Sequence, residues 1–305
     1  MFSWLGPYDQ FVGGTLLIDV LLVLSLFVVF QCGVLSLATV GFMADGAYTA
    51  ALLSTKAHLA PGLCIACGAL LTGLLALVVG RVILRLRGIY LALGTFAFGQ
   101  VCVLLIANWG FTGGTAGIIG IPTTVGMTTT FLAVVAVCVL LQLLHRSRIG
   151  RALRAMRLDD RVAAGVGVNT TNYRVLAFAA SGVIAGLAGG LDAFRTVIIS
   201  PGQYSFTLLV QLLALAMIGG AYHWSGGVIS ALAIGMIQQW LGLQGPLVQG
   251  LLYGGLLLVV MLVLPEGIVD RRMLRWMGRH IGRRPGGGPV EPPTPTPRLQ
   301  KVSGS

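Results

Sequence analysis

Apolar stretches of about twenty residues recur along this chain without alternation of polar and apolar positions, each bounded by a short polar or Gly/Pro-containing break. A run of that length matches the thickness of a bilayer's hydrocarbon core. Inside hydrocarbon every backbone group must be satisfied internally, so only helices or a closed barrel can cross, and the missing period-two alternation selects helices. Spans are predicted at about 13–32, 34–54, 60–80, 89–107, 124–144, 175–194, 206–222, 227–242 and 247–265. That makes about nine, with eight or ten compatible with these boundaries. The first two almost meet at Gln31 to Gly33, where one bent element plus a short hairpin is the alternative. The expected fold class is all-α, a polytopic transmembrane helical bundle.

Charge placement orients the bundle. Arg81, Arg85 and Arg87 share one break, seven arginines from Arg146 to Arg174 share another, and Arg271, Arg272, Arg275, Arg279, Arg283 and Arg284 follow the last span. With nine spans these groups fall on one side, while Lys56 and Arg195 fall on the other. Short cytoplasmic loops collect Lys and Arg, so the N-terminus is expected outside and the C-terminus in the cytoplasm. Residues 1–270 then form the membrane domain, and 271–305 a basic juxtamembrane segment followed by a disordered Pro/Gly-rich tail. The first 55 residues hold no Lys or Arg, hence no basic leader of the secretory kind, and the N-terminal segment is expected to be retained.

Composition agrees: 56% hydrophobic against 10% charged residues, with a mean hydropathy of +0.91, excludes an ordinary soluble domain. The net charge of +11 belongs to topology, because the arginines flank spans and are not interleaved with exposed aromatics, so no nucleic-acid partner is expected. Cys32, Cys64, Cys67, Cys102 and Cys138 lie in or beside spans as small apolar residues. No metal or disulfide framework follows from them, since Cys64 and Cys67 form a lone pair with no histidine nearby. No nucleophile–base set, HExxH or paired-carboxylate constellation appears, and no phosphate-binding loop precedes Lys56 or Lys301. The chain is expected to bind no cofactor and to catalyse no reaction itself.

Within the spans, Gly182, Gly186 and Gly190 form a small-xxx-small ridge suited to close helix packing, either static or lining a pathway. Intramembrane acids are few, and an unpaired charge at the bilayer centre costs at least about 2.5 kcal/mol. Asp45 is the main candidate for facing a polar pathway, with a buried structural hydrogen bond as the alternative. Asp192 is expected to form an interfacial ion pair with Arg195.

The polar segment at 145–174 stands out against this background. Gly150-Arg151-Ala152-Leu153-Arg154-Ala155-Met156-Arg157, followed by Asp160-Arg161-Val162-Ala163-Ala164-Gly165-Val166-Gly167, resembles the cytoplasmic coupling loop of bacterial branched-chain amino acid ABC permeases of the LivM type. Leu35-Ser36-Leu37 with Gly46-Ala47-Tyr48, Arg87-Gly88-Ile89-Tyr90-Leu91-Ala92, Thr112-Gly113-Gly114-Thr115-Ala116-Gly117-Ile118, Ser200-Pro201 and Pro265-Glu266-Gly267 resemble further landmarks of that family in the same order. The resemblance implies an ABC importer permease fold in the bacterial inner membrane. It implies as partners a second permease of the LivH type, two ATP-binding subunits that carry ATP and Mg, and an extracytoplasmic solute-binding protein.

By the same resemblance, Arg154, Arg157, Asp160, Ala163, Ala164 and Gly167 would couple to the ATPase, and the solute would be a branched-chain or other small amino acid. Asp45, Thr95 and Gln100 are the candidate pathway-lining residues. The chain departs from the family where Gly33-Val34-Leu35-Ser36-Leu37-Ala38-Thr39 lacks the usual Gln and His, at Asp45, at Gln100, and at Ala221 to Gly226. Urea or short amides are the alternative solutes. A self-sufficient secondary transporter using Asp45 is the alternative mechanism.

Overall fold

A computed structural model describes residues 6–86, 88–158, 163, 165, 167, 169–220, 224–241 and 255. Nine α-helices follow one another among them: α1 (Pro7–Phe30), α2 (Thr39–Ala57), α3 (Pro61–Ile83), α4 (Ile89–Asn108), α5 (Met127–Arg146), α6 (Arg148–Leu158), α7 (Thr170–Ala193), α8 (Phe206–Gly219) and α9 (Trp224–Leu241). Six stretches, α1, α3, α4, α5, α7 and Pro201–Gly219, are long and apolar enough to cross a membrane. The last predicted span, 247–265, and the segment 271–305 lie outside the described residues.

Local chemistry sets the helix ends. Pro7 and Pro61 occupy the first turns of α1 and α3, where the missing N–H is harmless. The Asn169 side chain caps α7 by accepting the Asn172 N–H at 3.2 Å. Between α1 and α2, residues 31–38 leave the helical conformation, so these are two separate helices joined by a non-helical link, not one bent element.

The bundle is arranged around α1 and α7. Their spans are 83% and 72% buried, against 39% for α3, 33% for α4 and 22% for α5. The outer helices turn Leu70, Leu74, Leu104, Leu132 and Leu140 outward, an exposed apolar belt of the kind that lipid solvates. α7 packs most extensively on α3 and α2. Lipid tails are as apolar as leucine, so helices associate through close packing and interhelical hydrogen bonds. Glycine provides the first. A Cβ on Gly46 would run into the Gly186 backbone, and one on Gly186 would lie 2.8 Å from the Thr72 side chain and 3.2 Å from the Ala69 Cα. Gly182 faces Ala76 and the Thr72 carbonyl, Gly190 faces Ile65, and Gly41 faces Gly99 across the α2–α4 crossing. The ridge at Gly182, Gly186 and Gly190 is thus the surface on which α2 and α3 meet α7.

Buried hydroxyls provide the second. Ser25 on α1 donates to the Ser181 carbonyl of α7 at 2.9 Å, and Ser230 on α9 donates to the Leu215 carbonyl of α8 at 2.8 Å. The Trp224 indole donates to Gln142 on α5 at 2.9 Å.

The interhelical connections gather at two ends. At one, β1 (Ile118–Ile119) pairs antiparallel with β2 (Ile198–Ile199) and ties the α4–α5 link to the α7–α8 link. The Thr112-to-Ile118 motif makes this possible: Gly117 has φ +77° and sits where any Cβ would strike the Ile199 carbonyl. Thr112 braces the same turn by hydrogen-bonding the Ile106 and Trp109 carbonyls at 2.6 and 2.7 Å. The opposite, basic end holds the α1–α2 link, α6 and the start of α7.

Gly186→Val is expected to destabilise the bundle by about 1–3 kcal/mol, the usual cost of overpacking. Gly202→Ala, placed where a Cβ meets nothing within 4 Å, is expected to stay within about 0.5 kcal/mol of the parent. Equilibrium unfolding in mixed micelles reads both; equal effects would refute the glycine-contact account.

Candidate functional site

Two polar regions stand out from the apolar bundle. The first is α6 at the basic end. Gly150, Leu153 and Met156 recur at three-residue intervals and are buried, while Arg148, Arg151, Arg154 and Ala155 are exposed. This is the pattern of a helix lying on a surface. Gly150 is pressed on the backbone at Leu144 and His145, which leaves no room for a side chain.

Arg154 then bolts α6 to the end of α5. Its guanidinium donates to the His145 carbonyl at 3.0 Å and to the Gly150 carbonyl at 3.2 Å, and lies 3.1 Å from the His145 Nε2. Arg154, expected to face a partner, is exposed while making these bonds within the chain, and Arg148 and Arg151 are exposed beside it, Arg151 donating to the Arg146 carbonyl at 3.2 Å. Arg157 is half-buried, and its Cα lies 3.6 Å from where a Cβ on Gly33 would stand, so the end of α6 rests on the α1–α2 link. Of the remaining coupling candidates, Ala163 is buried and Gly167 is exposed with φ +85°. Asp160 and Ala164 lie outside the described residues.

The same link is held from its other side. Thr95 on α4, expected to line a pathway, is fully buried and accepts the Leu37 N–H at 3.0 Å while bonding the Leu91 and Ala92 carbonyls at 3.0 Å. With its hydroxyl committed to backbone, Thr95 is a joint between α4 and the link. Gln100, five residues further along α4, is half-buried.

The second polar region runs along α2 toward the paired-strand end. The Asp45 carboxylate lies beside the Cys102 thiol of α4, yet its Oδ2 is buried with no hydrogen-bond partner. One turn on, Tyr48 packs edge-on against Tyr204 with ring centroids 6.3 Å apart, and both phenol oxygens are buried without partners. Each such atom costs about 1–3 kcal/mol, so three in one strip call for a functional explanation.

At the end of this strip Arg195 donates to the Phe11 carbonyl at 2.9 Å and to the Thr15 Oγ1 at 2.7 Å, with its guanidinium 4.8 Å from the Phe11 ring centre. Asp19 and Asp192 lie within its electrostatic reach. Beside this electrostatic pairing of Asp192 with Arg195, the bonds to Phe11 and Thr15 make a strap from the end of α7 to α1. Gly14 makes the strap possible, since a Cβ there would occupy the position of the guanidinium. Lys56 is tied down similarly, donating to the Phe111 carbonyl at 3.1 Å over that residue's ring. Among the described residues, no three His, Cys, Asp or Glu side chains converge on a metal position.

The order of these features along the chain matches a known family. Residues 13–261 fit the family model described as the branched-chain amino acid transport system permease component. This chain belongs to that permease family. It is 30% identical over 272 residues to the high-affinity branched-chain amino acid transport system permease protein LivM of Salmonella typhimurium, covering 78% of this chain and 64% of the relative, and equally to LivM of Escherichia coli K12. It is also 30% identical over 146 residues to the LivH permease of Escherichia coli K12, covering 47% of this chain and 45% of that protein. The chain thus spans about 64% of the length of the LivM relatives. No solved structure matches it.

Several residues of this permease-family site carried a readable signal that the sequence patterns alone did not pick out. A tyrosine in the small-residue run Gly46-Ala47-Tyr48-Thr49-Ala50 brings a hydroxyl that must find a partner. Cys102 reads as a small apolar residue, and only the crossing of α4 with α2 gives its thiol the Asp45 carboxylate. Gly14→Ala is expected to displace Arg195 and lower the unfolding midpoint in detergent by several degrees, as loss of about 1–2 kcal/mol would. Arg195→Met should act similarly, and the double variant should cost little more than either alone. Full additivity would show that Gly14 and Arg195 do not form one strap.

Proposed function

We propose that this chain is a membrane permease subunit of an ATP-driven importer for branched-chain or other small amino acids, with ATP and Mg held by separate ATP-binding subunits. The observation that carries this reading is the way α6 is mounted. Its buried side is fixed to α5 and the α1–α2 link, Arg148, Arg151 and Arg154 are exposed, and the segment that follows it bears the family's coupling motif. A second permease, two ATP-binding subunits and an extracytoplasmic solute-binding protein complete the proposed assembly in the bacterial inner membrane, with the basic end in the cytoplasm.

Motion delivered to the coupling segment has a short physical route inward. α6 abuts the α1–α2 link at Gly33, and the link leads directly into α2 while Leu37 is pinned to Thr95 on α4. α2 carries Asp45 and Tyr48 on the polar strip. A rigid displacement of α6 therefore acts on the helix whose unpaired polar atoms would meet a solute bearing ammonium and carboxylate groups. Coupling requires an element with two arrangements biased from both sites, and α2 is the element that both regions touch.

The test is uptake of labelled leucine into membranes expressing the whole gene set, with purification of the complex. Gly167→Trp is expected to lose the ATP-binding subunits at normal membrane yield. Gly33→Val, forced into φ +70°, should keep those subunits while transport falls by at least about tenfold. Wild-type uptake by this chain alone in liposomes, abolished by Asp45→Asn, would replace the importer reading with secondary transport.

A further inference from the structure

At the basic end, α3 and the start of α7 enclose an open cavity of about 650 Å³ that neither the coupling region nor the polar strip uses. Its wall carries three arginines, Arg81 from the last turn of α3, Arg85 just beyond its end and Arg174 from α7, together with Thr170, Thr171 and Asn172 of the first turn of α7. Among the described residues, no acidic side chain lines it. Three guanidinium groups beside the N-terminal turn of a 24-residue helix make a strongly anion-selective surface.

The stripe of α3 that reaches this cavity changes character along its length. Arg81 stands seven residues after Leu74, hence on the same side of the helix, and Arg85 follows just beyond the helix end. Leu74 is 61% exposed and Val78 56%, and Leu176, itself in the cavity wall, is 49% exposed. The seven-residue offset places the apolar patch about 10 Å deeper along the helix than the cations. A soluble anion would use the arginines and leave this patch idle. A molecule with an anionic head and a hydrocarbon tail would use both.

We propose that this cavity is a binding site for an anionic phospholipid, with the phosphodiester held by Arg81, Arg85 and Arg174 and the acyl chains lying along Leu74, Val78 and Leu176. Basic recesses between membrane helices at the cytoplasmic level are suited to such headgroups. The occupant would clamp α3 to α7 at the end where their glycine-mediated contact begins, so bound lipid should also stabilise that helix pair.

The test uses the full-length chain, purified, delipidated and placed in nanodiscs or mixed micelles. Native mass spectrometry is expected to retain phosphatidylglycerol at least about tenfold more strongly than phosphatidylcholine, and phosphatidylglycerol should raise the unfolding temperature. Each arginine changed to glutamine at 81, 85 and 174 should weaken retention by about fivefold, whereas Arg148→Gln with Arg151→Gln, on the outward side of α6, should leave it unchanged. Unaltered elution volume and helical circular dichroism establish that the variants are folded. Equal retention of the two lipids by the wild type overturns the proposal whatever the variants do. Displacement of phosphatidylglycerol by millimolar inorganic phosphate or glycerol phosphate also overturns it, and assigns the cavity to a free anion. Loss of retention equal in the α6 variant would reduce the effect to general charge.

Discussion

Everything else in this chain depends on how closely α2 and α3 can approach α7. In a membrane the hydrophobic effect does not drive helices together, so cohesion comes from contact distance. At Gly46 and Gly186 two backbones meet with no side chain between them, and at Gly182 the partner is Ala76. Dispersion forces fall off steeply with separation, so these positions hold the core together where larger residues would prop it open. The same closeness fixes which side of α2 is left for other work. With Gly46 committed to α7, Asp45 points to α4 and its Cys102, and Tyr48 meets Tyr204.

Six of the predicted spans and the small-residue ridge were legible in the sequence because each rests on a local, repeated pattern. The ends were less so, for identifiable reasons. α1 begins at Pro7 although Tyr8, Asp9 and Gln10 are polar, because a helix can extend past the hydrocarbon once proline starts it. α7 begins at Thr170, before Arg174, because the Asn169 cap outweighs the charge as a boundary signal. The segment 148–158 is dense in arginine and reads as a loop until the three-residue recurrence of Gly150, Leu153 and Met156 is set against the cations between them.

The site residues divide along the same line. Residue types with an obvious cost in the membrane, such as Asp45, announce themselves in the sequence. Thr95 does not reveal whether its hydroxyl faces a pathway or a backbone amide, because that depends on the Leu37 N–H arriving from 58 residues away. Arg154 and Arg195 are subject to the same ambiguity. In sequence Arg154 reads as a coupling residue and Arg195 as the ion-pair partner of Asp192, and each is also drawn into bonds with carbonyls of another element. A guanidinium with five donors satisfies orphan carbonyls wherever chain ends converge, so the arginines of this permease divide between topology and internal fastening.

The unpartnered atoms at Asp45, Tyr48 and Tyr204 carry the argument one step further. Packing this close elsewhere in the bundle shows that the sequence can fill space and satisfy polar groups, as Ser25 and Ser181 do across the α1–α7 crossing. Three unsatisfied polar atoms in one strip are therefore a concentrated cost. A cost of that kind persists when another state of the protein, or its solute, returns it. On the importer reading, the helix that bears the strip is also the one that continues from the link on which α6 rests, and its opposite side is seated on glycine, where small shifts meet little side-chain resistance. The tight contacts define the axis about which α2 can be displaced, and the strip supplies the polar groups that such a displacement would bring to a partner.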